Sequence, residues 1–142
     1  MRRTGGILQG WRTAKVARKI VAVADDEFYI VRALSVLFNR QGYECVTARD
    51  GEEALKLVKR RHPAILFLDL DMPKKNGYDV LREIRANPAY NDVHIILLTA
   101  KGVDPEDDFA LHLGADGFLL KPFDPAEVLR QAVSVLEAKR GH

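Results

Sequence analysis

Cysteine is almost missing from this chain. The single copy, Cys45, lies in the strand-like stretch "YECVTA" and reads as a small core residue rather than a metal ligand or nucleophile. Histidine is sparse as well: His62, His94, His112 and His142 fall on a loop, a strand, a helix and the chain end, with no spacing suited to zinc. No apolar run approaches the roughly 20 residues that span a membrane, and no apolar signal stretch opens the chain, so no membrane association and a cytoplasmic location are expected. A glycine-rich cradle of the "GxxxxGK" kind is missing, so phosphate chemistry here need not use a nucleotide. Acidic residues are absent from positions 1–19, where Arg2, Arg3, Arg12, Lys15, Arg18 and Lys19 stand. Setting these six aside leaves 16 basic against 20 acidic residues, so the formal charge of +2 hides a body near −4. Residues 1–18 are therefore expected to form a flexible, solvated leader, with nucleic-acid contact kept as the alternative. Residues 19–140 are expected to form one domain, since 142 residues at 47% hydrophobic content suit a single core.

What is present is an alternation. "KIVAVAD" is a β-branched apolar run, and "EFYIVRALSVLFNRQGY" then changes to helical spacing, with Ile30, Leu34, Leu37 and Phe38 on one face and Gly42 as a stop. "YECVTARD" is a weaker strand, followed by a helix that Asp50 caps, with Glu53 at its third position and Ala54, Leu55 and Val58 facing inward. "PAILFLDLD" is the most apolar run and should be the central strand. A loop with Pro73 and Gly77 leads into a helix facing inward through Val80, Leu81 and Ile84; "VHIILLTA" then forms a fourth strand. Asp104 and Pro105 open a fourth helix, "DGFLLKPF" supplies a fifth strand, and Asp124, Pro125 and Glu127 start the last helix. Five such units imply an α/β fold: a doubly wound five-stranded parallel sheet of order 2-1-3-4-5, a flavodoxin-like three-layer sandwich.

In that fold the strand ends share one crevice. Asp25 and Asp26 follow the first strand, Asp69 ends the third, Thr99 the fourth, and Lys121 the fifth. Converging carboxylates repel one another at a cost of a few kcal/mol per close pair, roughly, so the site should want a cation, and an all-oxygen donor set suits Mg²⁺. Lys121 precedes Pro122, which restricts its backbone or, as a cis peptide, places it in a tight turn. Its ammonium then either pairs with Asp69 or a transferring phosphoryl oxygen, or forms an inert surface salt bridge. With Thr99 as hydroxyl, the set can hold a phosphoryl group that Asp69 attacks as nucleophile while Mg²⁺ and Lys121 offset the charge.

These stretches, "VADDE", "FLDLDMPKKNG", "LLTA" and "LLKPF" in that order, resemble the receiver domain of bacterial two-component response regulators, and are especially similar to stand-alone receivers of the chemotaxis-regulator type. The resemblance covers about Lys19 to Arg140. It implies that Asp69 accepts a phosphoryl group from a phosphohistidine on a sensor histidine kinase or histidine phosphotransfer protein, with Asp25, Asp26, Asp69 and the backbone carbonyl of Asp71 holding Mg²⁺. It further implies that Thr99 and Phe118 form a switch and that Lys121 pairs with the acyl phosphate. Asp71 and Lys101, whose charges are opposite, would tune phosphate lifetime, by shielding the site from water or by crowding it. The protein would catalyse only its own phosphorylation and dephosphorylation. The fourth helix, fifth strand and fifth helix would form the face for a downstream protein target or a homodimer.

Since only "KRGH" follows the last helix, output is expected through protein contacts or phosphorelay rather than an attached domain. Alternatives are a constitutive adaptor, a small phosphatase using Asp69, and a flavin carrier, the last disfavoured by the acidic first loop. Phe118 has a plain packing role as its other reading. Asp116 and Gly117 read as turn residues, and Lys74 and Lys75 as a partner contact or a solvated loop.

Overall fold

Side chains on a strand alternate between its two faces, so an apolar run buried on both faces must be covered by helices on both. The computed structural model describes residues 19–100 and 113–140, with side chains through Ala138. Its strands are β1 (Ile20–Ala24), β2 (Glu44–Ala48), β3 (Ile65–Asp69), β4 (His94–Thr99) and β5 (Gly117–Leu120), all parallel and ordered β2-β1-β3-β4-β5. The helices are α1 (Phe28–Arg40), α2 (Gly51–Arg61), α3 (Gly77–Arg85) and α4 (Pro125–Arg140), with a 3-10 turn at Pro88–Tyr90. The helix expected from Asp104 and Pro105, with Lys101 and His112, lies outside the described residues, as does the leader.

The alternation assigns each helix its layer. Val21, Val23, Ile65, Phe67, Ile96 and Leu98 point to the face where α1 contributes Val31, Leu34 and Phe38, and α4 contributes Val128, Ala132 and Leu136. Their neighbours Ala22, Ala24, Leu66, Leu68, Ile95 and Leu97 meet α2 through Ala54, Leu55 and Val58, and α3 through Val80, Leu81 and Ile84. β3 is buried at all five positions and sits in the middle of the sheet, as its composition requires. On α1 the inward stripe is centred one position from the expected one: Val31 is buried, while Ile30 and Leu37 lie at the margin.

Local chemistry sets the helix ends. Asp50 Oδ1 accepts from the Glu53 amide at 2.8 Å, while Glu53 reaches back to the Arg49 amide rather than to that of Asp50. Asn76 caps α3 through the Asp79 amide, and Asp124 caps α4 through the Ala126 amide. Gly42 adopts φ +92°, a conformation that favours glycine just after a helix. Cys45, partly buried beside α1, has its thiol pushed up to about 11 by burial, in keeping with a packing role.

Arg85 is a structural centre that helical periodicity does not mark. Its guanidinium donates to the carbonyls of Gly114, Tyr90 and Val93 and to Asp116 Oδ2, at 2.7–3.0 Å. Asp116 Oδ2 also accepts from the Ile95 amide, so Asp116 ties β4 to the start of β5, and Gly117 is already strand. Lys74 and Lys75 pair within the molecule, Lys74 with Asp50 and Glu52, Lys75 with Glu83.

Candidate functional site

The strand order reverses between β1 and β3, and both strands end in acid. Asp25, immediately after β1, is fully buried, Asp69 at the end of β3 is 3% exposed, and Asp26 is exposed. One carboxylate oxygen from each lies within 4.8 Å of the other two. Asp25 and Asp69 are oriented in the same way: Oδ1 of each accepts from the amide two residues on, from Glu27 at 2.9 Å and from Asp71 at 3.2 Å. That leaves each Oδ2 turned to Lys121, whose Nζ stands 2.8 Å from Asp25 and 3.4 Å from Asp69.

Two glycines let the neighbouring loop close on this point. A Cβ on Gly77 would lie 2.5 Å from the carbonyl oxygen of Asp69, and one on Gly51 would lie 2.1 Å from that of Lys75. Without side chains at both positions, residues 70–76 fold back over the end of β3, closed by the hydrogen bond from the Gly77 amide to the Leu70 carbonyl. This is the physical reason for Gly77 so soon after the Asp69 strand. The Lys121–Pro122 peptide is cis, the second of the two geometries open at that position.

Burial sets the electrostatics. Desolvation, reinforced by the charge of Asp25, pushes the Asp69 carboxyl up to about 7 against the opposing pull of the Asp71 amide and Lys121. Burial works against the Lys121 ammonium, but the carboxylates of Asp25 and Glu27 outweigh it and raise its affinity for the proton. Among the described residues, the buried side-chain atoms without a hydrogen-bond partner are Asp25 Oδ2 and Thr99 Oγ1. Asp25 Oδ2 is close to Lys121 but off hydrogen-bond geometry, so its lone pairs remain to be used. Three converging carboxylates, one with a buried oxygen outside hydrogen-bond geometry, fit a hard divalent cation such as Mg²⁺.

Residues 21–134 match the family described as "Response regulator receiver domain". The chain belongs to the response regulator receiver family. The receiver is 42% identical over 122 residues to the "Probable transcriptional regulator ycf27" of Cyanophora paradoxa, covering 86% of this chain and 50% of that protein. Its fold aligns with the receiver domain of the Francisella response regulator 1452 at a TM-score of 0.77 and 27% identity, covering 86% and 99% of the two chains. A CheY from Borrelia burgdorferi, solved as a CheX-CheY-BeF3-Mg complex, aligns at 0.75 and 32% identity, covering 84% and 90%. The receiver thus spans about half the length of the curated relatives it matches, and those of higher identity are named as transcriptional regulators rather than chemotaxis proteins. Its chemistry is that of a receiver, self-phosphorylation and self-dephosphorylation rather than multi-turnover catalysis.

The structure brings Asp25, Asp26, Asp69 and Lys121 together, and places Thr99 buried at the end of β4, one residue past Leu98, the register partner of Asp69. Phe118 is half-buried in β5, opposite Leu97, and packs on the α2–α3 side of the sheet. Asp71 is exposed at the mouth, and Lys101, its expected counterpart, lies outside the described residues. Sequence reasoning passed over Glu27. Its Oε1 accepts the Lys121 hydrogen bond at 2.7 Å, and its Oε2 accepts from the Tyr29 hydroxyl at 2.7 Å. A signal existed: Glu27 stands at the N-cap of α1, a position that favours shorter polar side chains, and its carboxylate makes no cap hydrogen bond. Among the described residues, no helix is long and apolar enough to cross a membrane.

Proposed function

We propose that the chain is a receiver module, residues 19–140, in which Asp69 accepts a phosphoryl group from a phosphohistidine of a sensor kinase or phosphotransfer protein. The observation that carries this is the meeting of three carboxylates and one ammonium at the sheet's switch point. An oxygen of Asp69 attacks phosphorus; the P–N bond breaks, its electron pair stays on that ring nitrogen, and the imidazole leaves neutral with its proton on the other nitrogen. Water attacking the same phosphorus returns the carboxylate. Asp25, Asp26, Asp69 and the carbonyl of Asp71 would hold Mg²⁺, which when bound supplies positive charge for the phosphoryl oxygens. Lys121 takes one of those oxygens, and the unpartnered hydroxyl of Thr99 donates to another.

The new acceptors reward inward movement of Thr99, leaving space into which Phe118 turns. This shifts the population toward a packing with an altered face along the helix expected to start at Asp104 and Pro105, β5 and α4. A downstream target or a second copy docks there in the phosphorylated state. Asp71 and Lys101 set how long the phosphoryl group lasts. We assign the module a stand-alone cytoplasmic role of the chemotaxis-regulator type, exerted through protein contacts or phosphorelay; the CheY likeness and its beryllofluoride–Mg complex support it. The names of the curated relatives favour a second reading, the receiver half of a transcriptional regulator. An immunoblot separates the two, since the second requires an endogenous protein about twice as long as this chain, which spans 50% of its relative.

Incubation with a labelled phosphohistidine donor and Mg²⁺ tests the phosphoacceptor. Wild type should gain base-labile label that Asp69→Asn lacks; stoichiometric base-labile label on the variant would overturn the assignment. A pull-down with Mg²⁺ alone and with Mg²⁺ plus beryllofluoride tests the output. Partners gained only with beryllofluoride support a switch, and identical partners in both lanes support a constitutive adaptor instead.

A further inference from the structure

An ammonium has three N–H donors, and three carboxylates surround that of Lys121. Asp25 Oδ2 lies at 2.8 Å, Glu27 Oε1 at 2.7 Å and Asp69 Oδ2 at 3.4 Å. Asp69, the group with which the proposed function pairs this lysine, is the most distant of the three. Glu27 takes the well-formed hydrogen bond. It is also held from behind, because the Tyr29 hydroxyl donates to its second oxygen at 2.7 Å. Tyr29, Glu27 and Lys121 thus form a chain running from an exposed aromatic on α1 to the phosphoacceptor pocket. The three residues line a cavity of about 340 Å³ with Ile30, Pro122 and Phe123.

A phosphoryl oxygen on Asp69 takes over the place of the 3.4 Å contact, and for Lys121 to reach it at hydrogen-bond distance the ammonium must move away from Asp25 or from Glu27. Asp25 is fully buried, and losing its ammonium would leave a charge in the interior, which is costly. The Glu27 side chain is 38% exposed and can turn to water. It is therefore the partner that leaves at least cost.

We infer that Glu27, braced by Tyr29, is a positioning residue that draws Lys121 away from Asp69 and competes with the incoming phosphoryl group for its ammonium. This rests on the proposed function of Asp69. It makes the residue after the acidic pair a brake on phosphorylation, with its strength set by a tyrosine two positions further on. Lys121 exchanges Glu27 for the phosphoryl oxygen on activation, and Glu27 with Tyr29 is released to solvent at the start of α1.

The test measures beryllofluoride affinity at saturating Mg²⁺ for wild type, Glu27→Gln, Tyr29→Phe and the double variant, together with the ammonium nuclear resonance of Lys121 in the metal-free proteins. Removing an exposed, charge-assisted pair should tighten beryllofluoride binding by about three- to tenfold in Glu27→Gln. Tyr29→Phe should act in the same direction and less strongly. In the Glu27→Gln background the tyrosine change should have no effect, a dependence that a merely structural role would not give. The Lys121 resonance should move in Glu27→Gln without metal or phosphoryl analogue. Unchanged or weaker affinity in a folded Glu27→Gln protein overturns the brake, as does a tyrosine effect that persists in its absence. If wild type itself fails to bind beryllofluoride with Mg²⁺, the proposed function fails and the brake with it; if wild type binds and Glu27→Gln matches it, only the brake fails.

Discussion

Replacing Asp69 with asparagine removes a charge that the fold holds at a cost, and the cost has a definite pH dependence. In the unfolded chain this carboxyl loses its proton near its ordinary value of 3.8; in the metal-free fold, burial and Asp25 push it up to about 7. Between those values the folded state binds the extra proton, so stability falls as pH rises through this window, and the full penalty applies above pH 7. At about 1.36 kcal/mol for each tenfold change in proton affinity, the penalty is on the order of 4 kcal/mol. Asparagine keeps an oxygen for the Asp71 amide but sets an NH₂ beside the Lys121 ammonium, 3.4 Å from the present Oδ2, which takes back part of the gain. The expected net stabilisation is about 2–3 kcal/mol at pH 8 and below about 1 kcal/mol at pH 4.5. Urea unfolding followed by far-ultraviolet circular dichroism, with chelator present, measures both. A variant no more stable than wild type at pH 8, or a gap that does not widen between the two pH values, would refute the electrostatic argument.

Mg²⁺ should raise the unfolding free energy of wild type in a concentration-dependent way, by about 2.7 kcal/mol at a hundred times its Kd, and much less in Asp69→Asn or Asp25→Asn; an equal effect in all three would remove the cation from this site. Gly77→Ala should destabilise by about 1–3 kcal/mol in urea, because its Cβ would meet the Asp69 carbonyl oxygen at 2.5 Å and the end of β3 must shift. Arg85→Ala should cost about 2–4 kcal/mol through the carbonyls and carboxylate it leaves unpaired. Hydrogen exchange at the Ile95 amide should rise in that variant beyond the general loss of stability, since Asp116 then has no guanidinium to hold it. Exchange that follows global stability alone would show that Asp116 is held by β4 itself.

The apolar runs and helical stripes were legible in the chain because burial acts on each residue separately: β3 reads as continuous, α2 and α3 as amphipathic, and Asp50 with Glu53 as a helix start. The polar residues ending the strands were legible for the same reason, since a carboxylate closing an apolar strand breaks its pattern. Strand order and winding then brought Asp25, Asp26, Asp69 and Lys121 to one crevice. Which carboxylate Lys121 prefers was not legible. Glu27 lies 94 positions away, and periodicity carries no information on a pair so separated. The same holds for Arg85, whose long polar side chain on a helix reads as solvated until Gly114 and Asp116 come within its reach, 29 and 31 residues on. The layers and the acidic end of the sheet follow from the chain alone, through the burial preference of each side chain. The partners of the buried charges emerge with folding, because an ion pair is a property of two positions and the space between them.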